Sequence, residues 1–490
     1  PRTRRGRDRR REGGKMRELL LGYGLFAMYY IITVYGIYFL VMTLSFGKIL
    51  TIVKGTFFAR FHALSVSEHA PPVSILVPAY NEELTIIESV RSLLSLQYPE
   101  YEVLVVNDGS KDRTLQVLIG EFGLREVTDS LRAKRNLVEA TPISAVYHNP
   151  EYPNLYVLDK KNGGKADALN VAINFSHHPL ICTIDADSLL DRDALIRMVR
   201  VYMENPRETV AVGGTVRIAN GCVIENGAVR DVRLPRQVLP MLQSIEYLKA
   251  FLGGRIGWSS INALLIISGA FGLFRKEDVV TVGGYREGFP GEDMNIVLKL
   301  HRHMLEQKRR YRIAFCPDAV CWTQAPDTLR ILGSQRKRWG RGNLKNMWEF
   351  RRLFFNPRYR QIGLFAIPYN VLFEMLNPYF KITGFLALLS YFWMDMTQWR
   401  IVLTFFTLNL MISLIFNCGA LLLEEIAFRR YDKASDLLRM AGCAVLLSFG
   451  YDHLNALWRF HGHIDFFRNN RSWGVMERKS WKDESAKAGA

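Results

Sequence analysis

Twenty-eight consecutive residues, Leu19 to Phe46, carry no charge. That is more than the roughly 20 residues a helix needs to cross the hydrocarbon core of a bilayer. A cleaved leader has an apolar core of only about 7–15 residues and a small-residue cleavage site, so a retained anchor fits better. Further apolar stretches run over about 362–393, 401–423 and 437–458. They contain Glu374, Lys381, Asp452 and His453. Such charges are costly in lipid and call for helices that face protein or a polar path. Between the first run and the later ones lies a stretch of globular character, and 490 residues leave room for about three domains.

The net charge of +17 invites a nucleic-acid reading, and its distribution argues against one. Residues 1–17 carry nine Lys/Arg against two acids, and residues 335–360 nine against Glu349 alone. Both blocks adjoin apolar segments, where basic residues meet anionic lipid. No basic face on a separate folded module is evident, so a lipid bilayer is the expected partner and nucleic acid is not. The six cysteines form no CxxC pair, which fits reduced structural thiols better than zinc or disulfides.

From Pro72 to about Ala325 the pattern is α/β. Short apolar strands are expected at Val73–Val77, Tyr101–Asn107, Leu155–Leu158 and Leu180–Ile184, with helices after Asn81, at Lys111–Ile119 and at Gly164–Phe175. Alternation of this kind implies parallel pairing with right-handed crossovers. Ligands in such sheets bind beyond the carboxyl ends of the strands, where Pro78–Glu82, Asp108 and Asp185–Asp187 fall.

Four motifs follow one another in fixed order. Asp108, in Val105-Val106-Asn107-Asp108-Gly109-Ser110, ends a strand at a tight turn, where a carboxylate can accept from a base or ribose. An Asx-turn or a cap for the next helix would explain it equally. Asp185-Ala186-Asp187 sets two carboxylates two apart at a strand end, an arrangement suited to a hard divalent cation whose shell is completed by diphosphate. Lys160-Lys161-Asn162-Gly163-Gly164-Lys165 is a basic turn into a helix, suited to phosphate, without P-loop spacing. Glu292-Asp293 follows Gly291 at a helix start, where acids are favoured by the dipole alone; Asp293 is the best available general base. Gln335-Arg336-Lys337-Arg338-Trp339 offers an Arg for a leaving diphosphate and a ring to stack on a sugar, though a membrane-facing basic helix with a Trp anchor has the same look.

As an ordered set these motifs resemble the processive membrane glycosyltransferases of family 2, which include cellulose, chitin, hyaluronan and poly-N-acetylglucosamine synthases. The strand Pro72-Val73-Ser74-Ile75-Leu76-Val77-Pro78-Ala79-Tyr80-Asn81-Glu82 is similar to their first nucleotide-binding strand. Trp473-Gly474-Val475-Met476-Glu477-Arg478 resembles the gating segment of hyaluronan-type synthases. The Phe373-Glu374 helix and the Arg429-Arg430-Tyr431 loop look most like bacterial poly-β-1,6-N-acetylglucosamine synthases.

The resemblance implies an integral membrane protein in which an α/β GT-A (Rossmann-like) cytosolic catalytic domain is inserted between transmembrane helices. It implies a UDP-sugar donor, with UDP-N-acetylglucosamine the best guess, a growing polysaccharide acceptor, and Mg²⁺ or Mn²⁺. A small accessory membrane subunit is a further partner it allows. Ala79, Tyr80, Glu82 and Asp108 would hold the nucleotide, Lys165 and Asp185 the diphosphate region, and Asp187 the metal. Asp293, beside Glu292, would take the acceptor proton. Arg338 would steady the departing UDP, Gln335 and Trp339 would hold the acceptor, and Trp473 and Arg478 would close over the donor. A single displacement on an α-linked donor gives a β-linked product.

The expected organisation is a basic arm (1–17), an N-terminal span (18–54), a GT-A domain (70–335), a basic amphipathic interface helix (336–360), C-terminal transmembrane and interface helices (361–468) and a gating-like tail (469–490). The location implied is the inner (plasma) membrane, multi-pass. One span would place a cytosolic arm and the catalytic domain on opposite sides. Either the arm lies outside or along the surface, or the segment to Lys54 does not cross simply, and the start at Pro1 points to a missing upstream segment. The stretch 437–467, broken near Asp452-His453, is expected to be re-entrant or interfacial. Two other readings stay open: a non-processive enzyme adding one sugar to a lipid acceptor, and a synthase of another polymer such as hyaluronan or a cellulose-like glucan.

Overall fold

The computed structural model describes residues 2–58, 70–127, 136–394, 399–431, 433–468 and 479–481. Its centre is a ten-stranded mixed sheet. In chain order the strands are β1 (Val73–Ala79), β2 (Tyr101–Asp108), β3 (Arg125–Glu126), β4 (Ile143–His148), β5 (Leu155–Lys160), β6 (Leu180–Ile184), β7 (Ser188–Leu190) and β8 (Thr209–Ile218). A hairpin of β9 (Val223–Glu225) and β10 (Ala228–Asp231) stands apart, and β11 (Phe271–Arg275) and β12 (Arg312–Thr323) complete the sheet. The spatial order is β3-β4-β5-β2-β1-β6-β11-β8-β12-β7.

Strands buried on both faces read as continuous apolar runs; β6, Leu-Ile-Cys-Thr-Ile, and β8 are buried throughout. The unit β5-β2-β1-β6 is parallel, so the ends of its four strands, Ala79, Asp108, Lys160 and Ile184, lie along one edge. Pro78 sits inside β1, beyond the last β1–β6 pair at Leu76, where a missing ladder donor is tolerated. The parallel expectation fails further out. β11 runs antiparallel to both β6 and β8, as do β4 against β5 and β7 against β12. Such pairing needs no helical crossover between neighbours.

Helices α1 (Arg2–Phe58), α2 (Ile86–Leu94), α3 (Thr114–Phe122), α4 (Lys165–Phe175), α5 (Ala194–Met203) and α6 (Val238–Leu248) precede α7 (Glu292–Glu306) and α8 (Leu329–Glu349). Then come α9 (Asn377–Met394), α10 (Trp399–Ala427), α11 (Ala434–Leu446) and α12 (Asp452–Phe467). Among the described residues two helical stretches are long and apolar enough to cross a membrane, Gly22–Ile52 and Leu410–Ala427.

Two of the expected boundaries fall inside continuous helices. The arm and the first span are one helix, α1, because no Pro or cap signal separates them. Its far end packs on the globular part, where Ser45 is buried and donates to the Gly253 carbonyl at 3.0 Å. The division at 335/336 falls inside α8. The amphipathic run 343–356 is the end of α8 and a 3₁₀ turn, Arg351–Leu353. Met347, Phe350 and Leu353 pack with Met294 and Leu298, while Trp348 and Phe355 face outward. Near Asp452 the helical path widens into a π-turn, Leu447–Tyr451, instead of breaking.

Candidate active site

A single cavity of about 1330 Å³ runs from the carboxyl edge of the sheet into the helices. Ala79, Tyr80, Glu82, Asp108, Lys165, Asp185, Asp187, Glu292, Asp293, Gln335, Arg338 and Trp339 all line it. Trp473 and Arg478 lie outside the described residues.

At the end of β1, Tyr80 is partly exposed and Glu82 buried. The Glu82 carboxylate accepts from Thr85 Oγ1 at 2.7 Å, and its own N–H donates to Thr114 Oγ1 at 2.8 Å. Glu82 therefore ties the turn after β1 to the start of α3. Asp108 faces across the sheet to the turn 160–164. Its carboxylate accepts from Lys160 Nζ, from the Gly163 and Gly164 N–H groups at 2.9 and 2.8 Å, and from Asn162 Nδ2 at 3.2 Å. Those contacts engage both carboxylate oxygens. Asp108 does not cap the next helix, which begins at Thr114 with its N–H on Asp112 Oδ1 at 3.0 Å. The sequence did not single out Lys160 for this part. Fully buried, it also bridges Asp167 at 2.5 Å.

Lys165, in the first turn of α4, reaches over the edge to Asp185 and lies 3.5 Å from Glu292. Burial works against its charge, but Asp185 and Glu292 outweigh burial and raise its pKa above the ordinary lysine value. A Cβ at Gly269 would come within 2.9 Å of Lys165 Nζ, so that position leaves room for the ammonium. Gly291, at φ +85°, starts α7 in the left-handed region, a conformation open to glycine at little cost. This presents Glu292 and Asp293 together at the helix start. Asp293 accepts from its neighbour Met294 N–H at 2.8 Å and from Gly269 N–H at 3.4 Å. Burial first, then the Glu292 carboxylate, push Asp293 up to about 6, against the pull of Lys165. A carboxylate tuned toward neutrality suits a general base.

Among the described residues, no three His, Cys, Asp or Glu side chains gather as a ready cage for a metal. Asp187 is buried beside Ser188, and Asp185 is engaged by Lys165. One or two carboxylates with an open shell fit Mg²⁺ or Mn²⁺ only if substrate oxygens supply the rest, a usual arrangement for such ions with phosphates.

The side of the cavity that carries Gln335 and Trp339 is built by α8 packed on α12. A Cβ at Gly340 would lie 2.8 Å from the Arg459 carbonyl oxygen, and one at Gly462 2.2 Å from that of Lys337. Small residues let the two backbones approach. Gln335 is buried, and its Oε1 has no hydrogen-bond partner among the described residues. Trp339 is 40% exposed. Beyond it the cavity continues between helices, lined by Tyr38, Tyr369, Glu374, Lys381, Asp452 and Arg459. Glu374 accepts from the Tyr38 and Tyr369 hydroxyls at 3.0 and 3.1 Å and pairs with Arg459 at 3.3 Å. Four π-helical segments, Lys249–Arg255, Ile362–Ala366, Asn370–Met375 and Leu447–Tyr451, border the cavity, a feature frequent at functional sites.

Residues 180–424 match a glycosyl transferase family group 2 model, and residues 74–122 a glycosyl transferase family 2 model. A poly-beta-1,6-N-acetyl-D-glucosamine synthase of Staphylococcus epidermidis is 30% identical over 333 residues, 67% of this chain and 66% of that protein. A Staphylococcus aureus (strain COL) protein of the same name is 29% identical over 309 residues, 63% of this chain and 62% of its own. The chain thus spans slightly under two thirds of these curated relatives. The mannosyltransferase PcManGT from Pyrobaculum calidifontis, solved with GDP-Man and Mn²⁺, has a TM-score of 0.52 at 18% identity, covering 89% of this chain and 99% of that one. That likeness is one of fold, a mixed α/β sheet of GT-A type. With half its length matched by one family model and residues 74–122 by a second, the chain belongs to glycosyltransferase family 2.

Proposed function

We propose that the protein is an inverting, processive membrane glycosyltransferase. In this reading it extends a β-linked N-acetylglucosamine polymer from UDP-N-acetylglucosamine supplied on the cytosolic side of the inner (plasma) membrane, and leads the product outward among its helices. The observation that carries the reading is the continuity of one cavity, from the carboxylates at the sheet edge to the aromatic and polar helix faces around Glu374. At about 1330 Å³ it exceeds the roughly 300–1,000 Å³ of an ordinary small-ligand site. The Staphylococcus relatives, named as poly-beta-1,6-N-acetyl-D-glucosamine synthases, support this choice of sugar.

Tyr80 and the turn held by Asp108 take the nucleotide, and Lys165 and Asp185 the diphosphate region. A divalent cation at Asp187, when bound, neutralises charge on the diphosphate. The acceptor ring stacks on Trp339 beside Gln335. Asp293 takes the proton of the attacking hydroxyl as its oxygen forms the bond to the donor's anomeric carbon. The bond from that carbon to the diphosphate breaks, its electron pair leaves with UDP, and the configuration inverts. Arg338 faces the departing charge.

The test is incubation of the purified protein with a panel of UDP-sugars, following UDP release and product length. Release confined to UDP-N-acetylglucosamine with products many residues long is expected. A single-sugar product on a lipid would replace this reading with the non-processive one.

A further inference from the structure

We propose that Arg336 is a positioning residue for the acceptor subsite, holding the indole of Trp339 from one side so that its other face is offered to the sugar. The proposal rests on the reading that Trp339 binds the acceptor.

Arg336 and Trp339 are three apart on α8 and so lie on neighbouring positions of one helix face. The guanidinium carbon sits 4.2 Å from the indole ring centroid. Arg336 is itself almost fully buried and cannot swing freely. It donates to Glu246 Oε2 at 2.7 Å and to the Tyr451 hydroxyl at 3.4 Å, and that hydroxyl donates to Glu246 at 2.8 Å. Glu246 comes from the last turn of α6 and Tyr451 from the π-turn before α12, so three separate parts of the fold meet on this one side chain.

A planar guanidinium held by a carboxylate can cover one face of an indole, which a lysine ammonium on a flexible stem does less well. Trp339 is nevertheless 40% exposed and lines the cavity. One face of the ring is therefore backed and part of it is free. A flat, preoriented ring loses less freedom on stacking against a sugar than a mobile one. Burying an arginine only to hold a surface tryptophan would be expensive. The cost makes sense if the orientation of the ring matters to what enters the cavity.

The experiment uses the full chain in lipid nanodiscs, with a β-linked N-acetylglucosamine pentasaccharide as acceptor probe. R336M, R336K and W339A are compared by acceptor KM, kcat, and UDP affinity from calorimetry. The double variant R336M/E246Q removes the carboxylate that R336M leaves unpaired. The proposal expects acceptor KM to rise at least about fivefold in R336M and R336M/E246Q, the scale of one lost cation–π contact. R336K should recover part of it, with UDP affinity held within about twofold throughout. A rise in W339A with none in R336M overturns the proposal and leaves the role of Trp339 standing. No rise in W339A removes that role and the proposal with it. Parallel losses of UDP and acceptor affinity in R336M and R336M/E246Q would reduce Arg336 to a structural residue and overturn the proposal.

Discussion

Arg217 on β8 and Glu424 near the end of α10 pair through two hydrogen bonds of 2.9 and 2.5 Å, with both side chains buried. The pair fastens one of the two apolar helical stretches to β8 of the sheet. Next to it, Arg430 pairs at 2.8 Å with Asp191, which also accepts the Trp322 indole N–H at 2.8 Å. Asp191 follows directly on β7, and β7 on Asp187. The seam between α10 and the α/β domain is thus polar and specific at this point.

Removing one partner of a buried pair strands the other charge. Glu424→Gln is therefore expected to cost about 3–5 kcal/mol, while R217M/E424M, which buries no orphan, falls much closer to the wild type. Chemical denaturation of the purified protein in detergent checks this. Equal losses in the single and double variants would show that the charges themselves, not their pairing, hold the seam.

Much of this architecture is legible in the sequence because it is local. Each of β1, β2, β5 and β6 is an apolar run ended by a turn signal, and each expected strand overlaps the observed one. Asp185, Asp187, Glu292 and Asp293 stand out because they sit where strands end or helices start. What escapes notice depends on distant partners. Lys160 acquires its place only when β5 lands beside β2 and brings it to Asp108. Arg336 looks like one more basic residue of a membrane-facing helix until Glu246 and Tyr451 close around it. The π-turns depend on packing between helices and have no residue pattern of their own, and α1 continues through a Gly-containing stretch where arm and span look separate. The antiparallel β11 is likewise a tertiary decision, since its short apolar run is compatible with either direction.

Asp293 should set the acid limb of the pH profile. A base must be ionised to work, and burial beside Glu292 raises its pKa to about 6. Wild-type kcat/KM is then expected to be full above pH 7 and to fall about tenfold per unit below the pKa. Asp293→Asn should lose about 10²–10⁴ in turnover while keeping UDP affinity. A loss under about tenfold would assign the proton to another group.

Divalent metal should be required for turnover and not for folding. With so few protein ligands near Asp187, the ion would be held largely through the diphosphate, so EDTA should abolish turnover and Mg²⁺ or Mn²⁺ restore it. Asp187→Asn should weaken the metal dependence of UDP binding in calorimetry and leave the melting temperature in the absence of nucleotide unchanged. Full turnover in excess EDTA would remove Asp187 from the metal role.

Residues 479–481 are fastened to the catalytic domain. Trp481 is 1% exposed and packs with Leu189, Val320 and Trp322, while Lys479 pairs with Asp327 and its carbonyl accepts from Gln324 Nε2 at 3.0 Å. Leu189 belongs to β7, which begins directly after Asp187, a residue that lines the cavity. The gating-like residues Trp473 and Arg478 lie just before it in sequence. Truncation after Asn470 should abolish polymer synthesis, but it removes the anchor along with those two residues. The substitutions W473A and R478A keep Trp481 and isolate the suggested donor-closing role, in which an Arg fork meets phosphate and a ring excludes water. Each should cut polymer yield with little change in stability, whereas Trp481→Ala should cost about 3–5 kcal/mol in denaturation, as large aromatic deletions from a core do. Wild-type yield from W473A and R478A together with loss in W481A would make the C-terminal end a structural fastener with no part in catalysis.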